Sequence, residues 1–234
     1  MFQAIKNELA VCSSKERARA LSWFFKTGKG EYGEGDIFLG VKTPDSKKIA
    51  QKYYKDISLK EIQILLSSKI HEHRSIALNM LKRKQEKANA KDKEKIVKFY
   101  LRNTKYINNW DLVDMSAHYI LGHWLIDNPQ EKKIIYDFAK SEDLWEKRIS
   151  IISTFAFIRE GQFDDCLKIS MILLCDKHDL IHKAVGWMLR EVGKKDQKEE
   201  KKFLEKYHKI MPRTMLRYAI EKFPEKKRKF YMKK

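Results

Sequence analysis

Proline and glycine are scarce in this chain, 4 and 9 among 234 residues. So few breakers leave little room for a turn-rich all-β fold, and apolar residues recur at helical rather than alternating spacing, so the chain reads as all-α. Cysteine is scarcer still. Cys12, Cys166 and Cys175 are odd in number, form no Cys-x-x-Cys and sit in apolar helical patterns, which excludes a disulfide framework and points to buried thiols in a reducing compartment. No run of 18 apolar residues exists, so no membrane-spanning helix is expected. The N-terminus Met1-Phe2-Gln3-Ala4-Ile5-Lys6-Asn7-Glu8 lacks the apolar core of a secretion signal. A soluble, prokaryote-like cytoplasmic protein is therefore expected. Acidic residues are also in deficit: 32 against 50 lysines and arginines leaves a net charge of +18. That exceeds what solubility requires and predicts a polyanionic partner.

What is present is helical punctuation. Ser58-Leu59-Lys60-Glu61 forms a capping box ahead of Ile62, Leu65 and Leu66, and Asn128-Pro129 offers a cap followed by proline at the first helical position. Gly122, Gly161 and Gly193 fall at or near expected helix ends. A period is hidden in the pattern. Arg74, in His71-Glu72-His73-Arg74, and Arg148, in Leu144-Trp145-Glu146-Lys147-Arg148, lie 74 residues apart, two units of 37, with Asp111 midway and Ala184 a further 36 on. Two helices and two turns fit a unit of 36 to 37 residues, which predicts one domain over 1–234: a right-handed superhelical solenoid of HEAT-like repeats with a concave basic groove. Asp114, Arg148 and Trp187 fall in equivalent zones of successive units and are expected to converge on that groove.

The most informative stretch is Asn108-Asn109-Trp110-Asp111-Leu112-Val113-Asp114. Trp110 and Asp114 share a helix face at i and i+4, and their apolar neighbours set Asp114 at the margin of a core. A partly dehydrated carboxylate beside an indole is suited to receiving positive charge. Trp187 sits between Lys183 and Arg190 on neighbouring faces, and Gly186 is expected to thin the helix surface beside it; cations beside an aromatic plate suit a nucleic-acid groove. Other matches fail on context. Gly28-Lys29-Gly30-Glu31-Tyr32-Gly33 fits the dinucleotide fingerprint but follows a helical pattern and precedes no parallel sheet, so it reads as a flexible connector. His178 and His182 share a helix face without a third ligand, so no metal site is expected. The basic tail Lys226-Lys227-Arg228-Lys229 and Lys233-Lys234 is unspecific.

Four spaced segments carry a resemblance: Phe38-Leu39-Gly40-Val41-Lys42-Thr43-Pro44, Asn109-Trp110-Asp111-Leu112-Val113-Asp114, Leu144-Trp145-Glu146-Lys147-Arg148 and Lys183-Ala184-Val185-Gly186-Trp187-Met188-Leu189-Arg190-Glu191. Over roughly residues 20 to 220 the chain resembles the AlkD-type DNA alkylation repair family. That resemblance implies a HEAT-like solenoid that excises positively charged alkylated purines, notably 3-methyladenine and 7-methylguanine, from duplex DNA. By motif it implies Asp114 as the catalytic carboxylate, Trp110 and Trp187 as aromatic walls facing the lesion's deoxyribose, and Arg148 as the basic residue beside the carboxylate. Lys42, Thr43, Lys47, Lys183 and Arg190 are the candidate DNA contacts. The departure lies in the N-terminal third, where the segment from Gly28 to Asp36 is long and the tyrosine that some members add to the wall has no matched position; Trp23 or Phe24 stands in its region. A monomer acting without cofactor or metal is expected. The competing readings are a DNA-binding solenoid without catalysis, against which Asp114 stands, and a protein-binding HEAT adaptor, which needs neither +18 nor an indole–carboxylate pair.

Overall fold

A computed structural model describes residues 1–233; Lys234, the end of the basic tail, lies outside the described residues. Two compact units divide the chain, Met1–Ser116 and Ala117–Lys234. Both are built from helices. The described residues contain no strand, only an isolated bridge between Ile37 and Ile70, and no helix among them is long and apolar enough to cross a membrane.

The first unit runs through α1 (Phe2–Val11), α2 (Lys15–Phe24), α3 (Thr43–Tyr53), α4 (Leu59–Leu66), α5 (His71–Lys87), α6 (Ala90–Arg102) and α7, which opens at Trp110. Helix α5 is its spine, with α3, α4 and α6 packed on it and Ile76, Ala77, Leu78, Met80 and Leu81 without exposed surface. The capping box holds: the Ser58 side chain receives the Glu61 amide and the Glu61 carboxylate receives the Ser58 amide.

The long connection from 25 to 42 is not the loose connector that its glycines suggest. It lies between α2 and α3, and hydrogen bonds to α5 and the residues before it pin its second half. The Ile37 amide donates to the Lys69 carbonyl (3.1 Å), the His71 amide donates to the Ile37 carbonyl (2.8 Å), and the Glu72 carboxylate accepts the amides of Leu39, Gly40 and Val41. Gly40 is required there. It sits at φ +77°, and a Cβ would lie 2.2 Å from the Ser14 carbonyl oxygen at the start of α2.

The second unit opens on a π-helical turn (His118–Gly122) and continues through α8 (His123–Asp127), α9 (Lys133–Ala139), α10 (Leu144–Arg159), α11 (Asp164–Ile172), α12 (Asp179–Lys195), α13 (Gln197–Tyr207), α14 (Arg213–Ala219) and α15 (Glu225–Met232). Helix α10 is apolar on nearly every side because α8, α9, α11 and α12 surround it. Helices starting at 71, 110, 144, 179 and 213 recur every 34 to 39 residues, close to the expected period. Gly161 ends α10 in the left-handed region at φ +75°. Gly122 closes the π-helical turn at its junction with α8, near a helix end as expected, and it also allows a close approach: a Cβ would meet the Ser153 carbonyl of α10 at 2.4 Å. Gly193 lies in the last turn of α12, near a helix end as expected, against the Glu200 carboxyl. Of the cysteines only Cys166 is buried, with its thiol pushed up to about 12 by burial. Cys175 is exposed, against the expectation of buried thiols.

Candidate functional site

In the first unit the site is built around the start of α7. Asn109, fully buried, accepts the Trp110 amide on its side-chain oxygen (2.8 Å) and donates to Asp36 (3.3 Å), which ties the helix start to the long connection. Asp36 also takes the Arg74 guanidinium at 2.7 Å. His71 stands between two carboxylates, Nδ1 at 3.2 Å from Asp36 and Nε2 at 2.8 Å from Asp111. An imidazole facing an acceptor on both nitrogens needs a proton on each, so it is a cation. Burial and Arg74 oppose that charge, but the hydrogen bonds to Asp111 and Asp36 outweigh them and raise its pKa to about 9. Burial likewise opposes the Asp36 charge, yet His71 and Arg74 hold its carboxyl below the usual range.

A column of rings rises from this ion cluster. Phe38 stacks on His71 with centroids 4.6 Å apart, Phe25 stacks on Phe38 at 5.1 Å, and Trp110 stacks on Phe25 at 5.2 Å. Phe24 meets Trp110 edge-on at 6.0 Å, and the indole N–H donates to the Tyr32 hydroxyl at 3.2 Å. Trp110 is thus held at its face, edge and polar tip. A cleft of about 420 Å³ opens beside it, lined among others by Phe24, Trp110, Asp111, Thr43 and Lys47. Asp114 is half-buried one turn along α7. Burial pushes the Tyr100 phenol upward, with its hydrogen bond to Ser116 opposing the shift and the Asp114 charge adding to it.

Lys42, Thr43 and Lys47 are exposed around the first turn of α3, and the last two reach the Trp110 cleft. Two larger cavities, of about 710 and 910 Å³, lie elsewhere and include no indole.

In the second unit Arg148 is buried on α10 and donates to the Leu180 carbonyl at 2.6 Å. Trp187 is half-buried on α12, its N–H donating to Glu191 (3.1 Å) and its ring 6.0 Å from Phe155. The cations flanking it are engaged: Lys183 pairs with Asp179 at 2.6 Å, and Arg190 pairs with Glu221 and Glu191. Gly186 does not thin the surface beside the indole. It is buried toward α14, where a Cβ would lie 2.4 Å from the Met215 carbonyl oxygen, so it permits close helix packing. His178 and His182 are likewise structural. His178 accepts the Leu180 amide as the cap of α12, and His182 Nε2 lies 2.5 Å from the Asp176 carbonyl.

The family model described as DNA alkylation repair enzyme matches residues 5–223. The chain belongs to that family. Its fold is shared with a predicted DNA alkylation repair enzyme from Enterococcus faecalis, at 17% identity, 91% of this chain, 97% of that one and a TM-score of 0.74. AlkD2 from Streptococcus mutans aligns at 16% identity over 90% of this chain and 99% of that one, with a TM-score of 0.58. No curated protein matches.

For a DNA alkylation repair family chain, sequence reasoning missed the support of Trp110. Tyr32, Phe25, Asp36 and His71 carry no spacing signal, because they come from a loop and a helix start brought to α7 by tertiary contacts alone. Of the two N-terminal aromatics expected near the wall, Phe24 reaches Trp110 and Trp23 points into solvent at 84% exposure.

Proposed function

We propose that residues 1–234 act as one monomeric module, a monofunctional DNA glycosylase that releases positively charged alkylated purines, such as 3-methyladenine and 7-methylguanine, from duplex DNA. The observation that carries this reading is the immobilised Trp110 on the same face of α7 as the half-buried Asp114. A cationic purine is already a good leaving group, so no general acid is required. What needs stabilising is the positive charge that grows on the sugar as the glycosidic bond breaks. A carboxylate about 4 Å from that charge contributes on the order of 4 kcal/mol at an effective dielectric of about 20, near a thousandfold in rate. Asp114 also orients the attacking water. Trp110 adds cation–π attraction on the order of 0.5 to 2 kcal/mol. Motif resemblance brings Trp187 into the proposal as a second aromatic contact to the sugar and Arg148 as the basic residue of the site. Lys42, Thr43 and Lys47 bind phosphate, with Lys183 and Arg190 contributing only after exchanging their internal carboxylate partners. The setting is the cytoplasm of a prokaryote-like cell, with alkylated duplex DNA as partner and no cofactor.

The test is a duplex carrying a single 7-methylguanine. Free base should appear with the native chain, while Asp114→Asn should bind the DNA equally well and lose on the order of 2 to 4 kcal/mol of transition-state stabilisation. Excision by Asp114→Asn at the native rate would remove this carboxylate from the chemistry.

A further inference from the structure

Helix α2 buries no residue completely, and one face of it sets an indole in line with cations. Lys15, Arg19 and Trp23 follow one another at i, i+4 and i+8, and all three are exposed. Trp23 is 84% exposed and its neighbour Phe24 55%, whereas every other tryptophan is buried or half-buried. An indole left in water forgoes the burial that this side chain normally obtains, and such a patch marks an interaction site. The chain beyond α2 adds exposed Lys26 and Lys29. Among the described residues, Lys15, Arg19, Lys26 and Lys29 enter no ion pair, in contrast to Lys183 and Arg190 on α12. Two uncommitted cations in line with a bare indole and two more on the chain just beyond it match a partner that is both polyanionic and rich in π faces. A second copy of this chain, itself at +18, would meet these cations with more cations. An acidic peptide would engage the lysines and leave the indole idle.

We propose that the exposed face of α2 is a DNA-contact surface in which Trp23 stacks on a base loosened at a damaged site while Lys15, Arg19, Lys26 and Lys29 hold the flanking phosphates. Its place follows from Phe24, which continues from Trp23 to the edge of Trp110 and lines the same cleft. The inference rests on the proposed function only in taking duplex DNA as the nucleic acid. Stacking and phosphate contact differ in their response to salt, because only the second releases counterions.

The test is fluorescence anisotropy with a labelled duplex containing one tetrahydrofuran abasic analogue, read over a salt series. Trp23→Ala should weaken binding roughly fivefold or more and leave the slope of log affinity against log salt unchanged. Trp23→Phe should recover most of the loss. Arg19→Ser with Lys29→Ser should make that slope shallower by about one for each cation removed. Trp23 is solvent-exposed, so these variants should unfold at the native temperature. Binding by Trp23→Ala within twofold of the native chain overturns the proposal. So does self-association abolished by Trp23→Ala, or native binding to phosphatidylglycerol vesicles that depends on Trp23 while DNA binding does not. The abasic duplex has no base to release, so a chain without glycosylase activity can still pass this test, and an active glycosylase can still fail it.

Discussion

Replacing Glu200 by glutamine isolates one proton in the folding equilibrium. Glu200 lies on the first turn of α13, 2% exposed, with Oε1 lacking a partner and the carboxyl packed against Gly193 of α12. Burial pushes its pKa up from 4.5 to about 8, with only the Lys201 charge working the other way. The folded chain therefore keeps a proton that the unfolded chain has released across that whole window. A folded pKa above the unfolded one means stability that is fully present below pH 4.5 and lost as pH rises through about 8. Each pH unit inside the window removes about 1.4 kcal/mol, so the full loss is on the order of 4 to 5 kcal/mol. That is a large share of a typical folding free energy of about 5 to 15 kcal/mol. Glu200→Gln keeps the shape and cannot ionise. Any packing or hydrogen-bond cost of the amide enters as a constant, whereas the recovered stability grows with pH. Urea denaturation of both chains from about pH 4 to about pH 9 should give a difference curve that is flat at the acid end, climbs through neutrality and levels above about pH 8. Parallel stability curves would show that the buried carboxyl has found a partner or water, and would refute this reasoning.

His71→Gln should destabilise the first unit by on the order of 3 kcal/mol near pH 6, with the deficit shrinking as pH passes about 9, since a raised histidine pKa stabilises below 6.5 and ceases to do so above the folded value; thermal unfolding at several pH values checks it, and a pH-independent deficit would mean that the ring is neutral. Under the glycosylase reading, uracil and hypoxanthine should be refused while 7-methylguanine is released at a rate that holds as pH rises from about 6 to about 8, because no protonated enzyme group is needed. Efficient uracil release in a single-turnover assay would reveal an unrecognised acid.

Local chemistry was legible in the sequence wherever one helix carried it. The Ser58 capping box and the shared face of Trp110 and Asp114 both depend on spacings of three or four residues, which the helix fixes. Asn128 marks a helix start as expected, but its amide donates back to the Trp124 carbonyl instead of capping the turn ahead. Functions that depend on what faces a residue were not legible. Gly186 and Gly122 read as surface or terminal glycines because nothing local announces the helix that approaches each of them. The glycines after α2 suggested slack; the order of that segment comes from Glu72 and Ile70, more than 30 residues away. The cation at His71 exists only because Asp36 and Asp111, 35 residues before it and 40 after, meet at its two nitrogens.

That meeting has a consequence for how the chain is made. Once Asp36, His71 and Arg74 have cleared the ribosome, Asn109, Trp110 and Asp111 are still to follow. Until they arrive, one nitrogen of the His71 ring lacks the Asp111 carboxylate, the outer face of Phe25 lacks the Trp110 indole and the Tyr32 hydroxyl lacks the Trp110 N–H. The ring column can close only when its last-made member reaches it, so the nascent unit waits with a half-built ion cluster and exposed aromatic faces. A ribosome paused within that interval would hold out unpaired aromatic faces of the kind that transiently exposed apolar surface offers to chaperones.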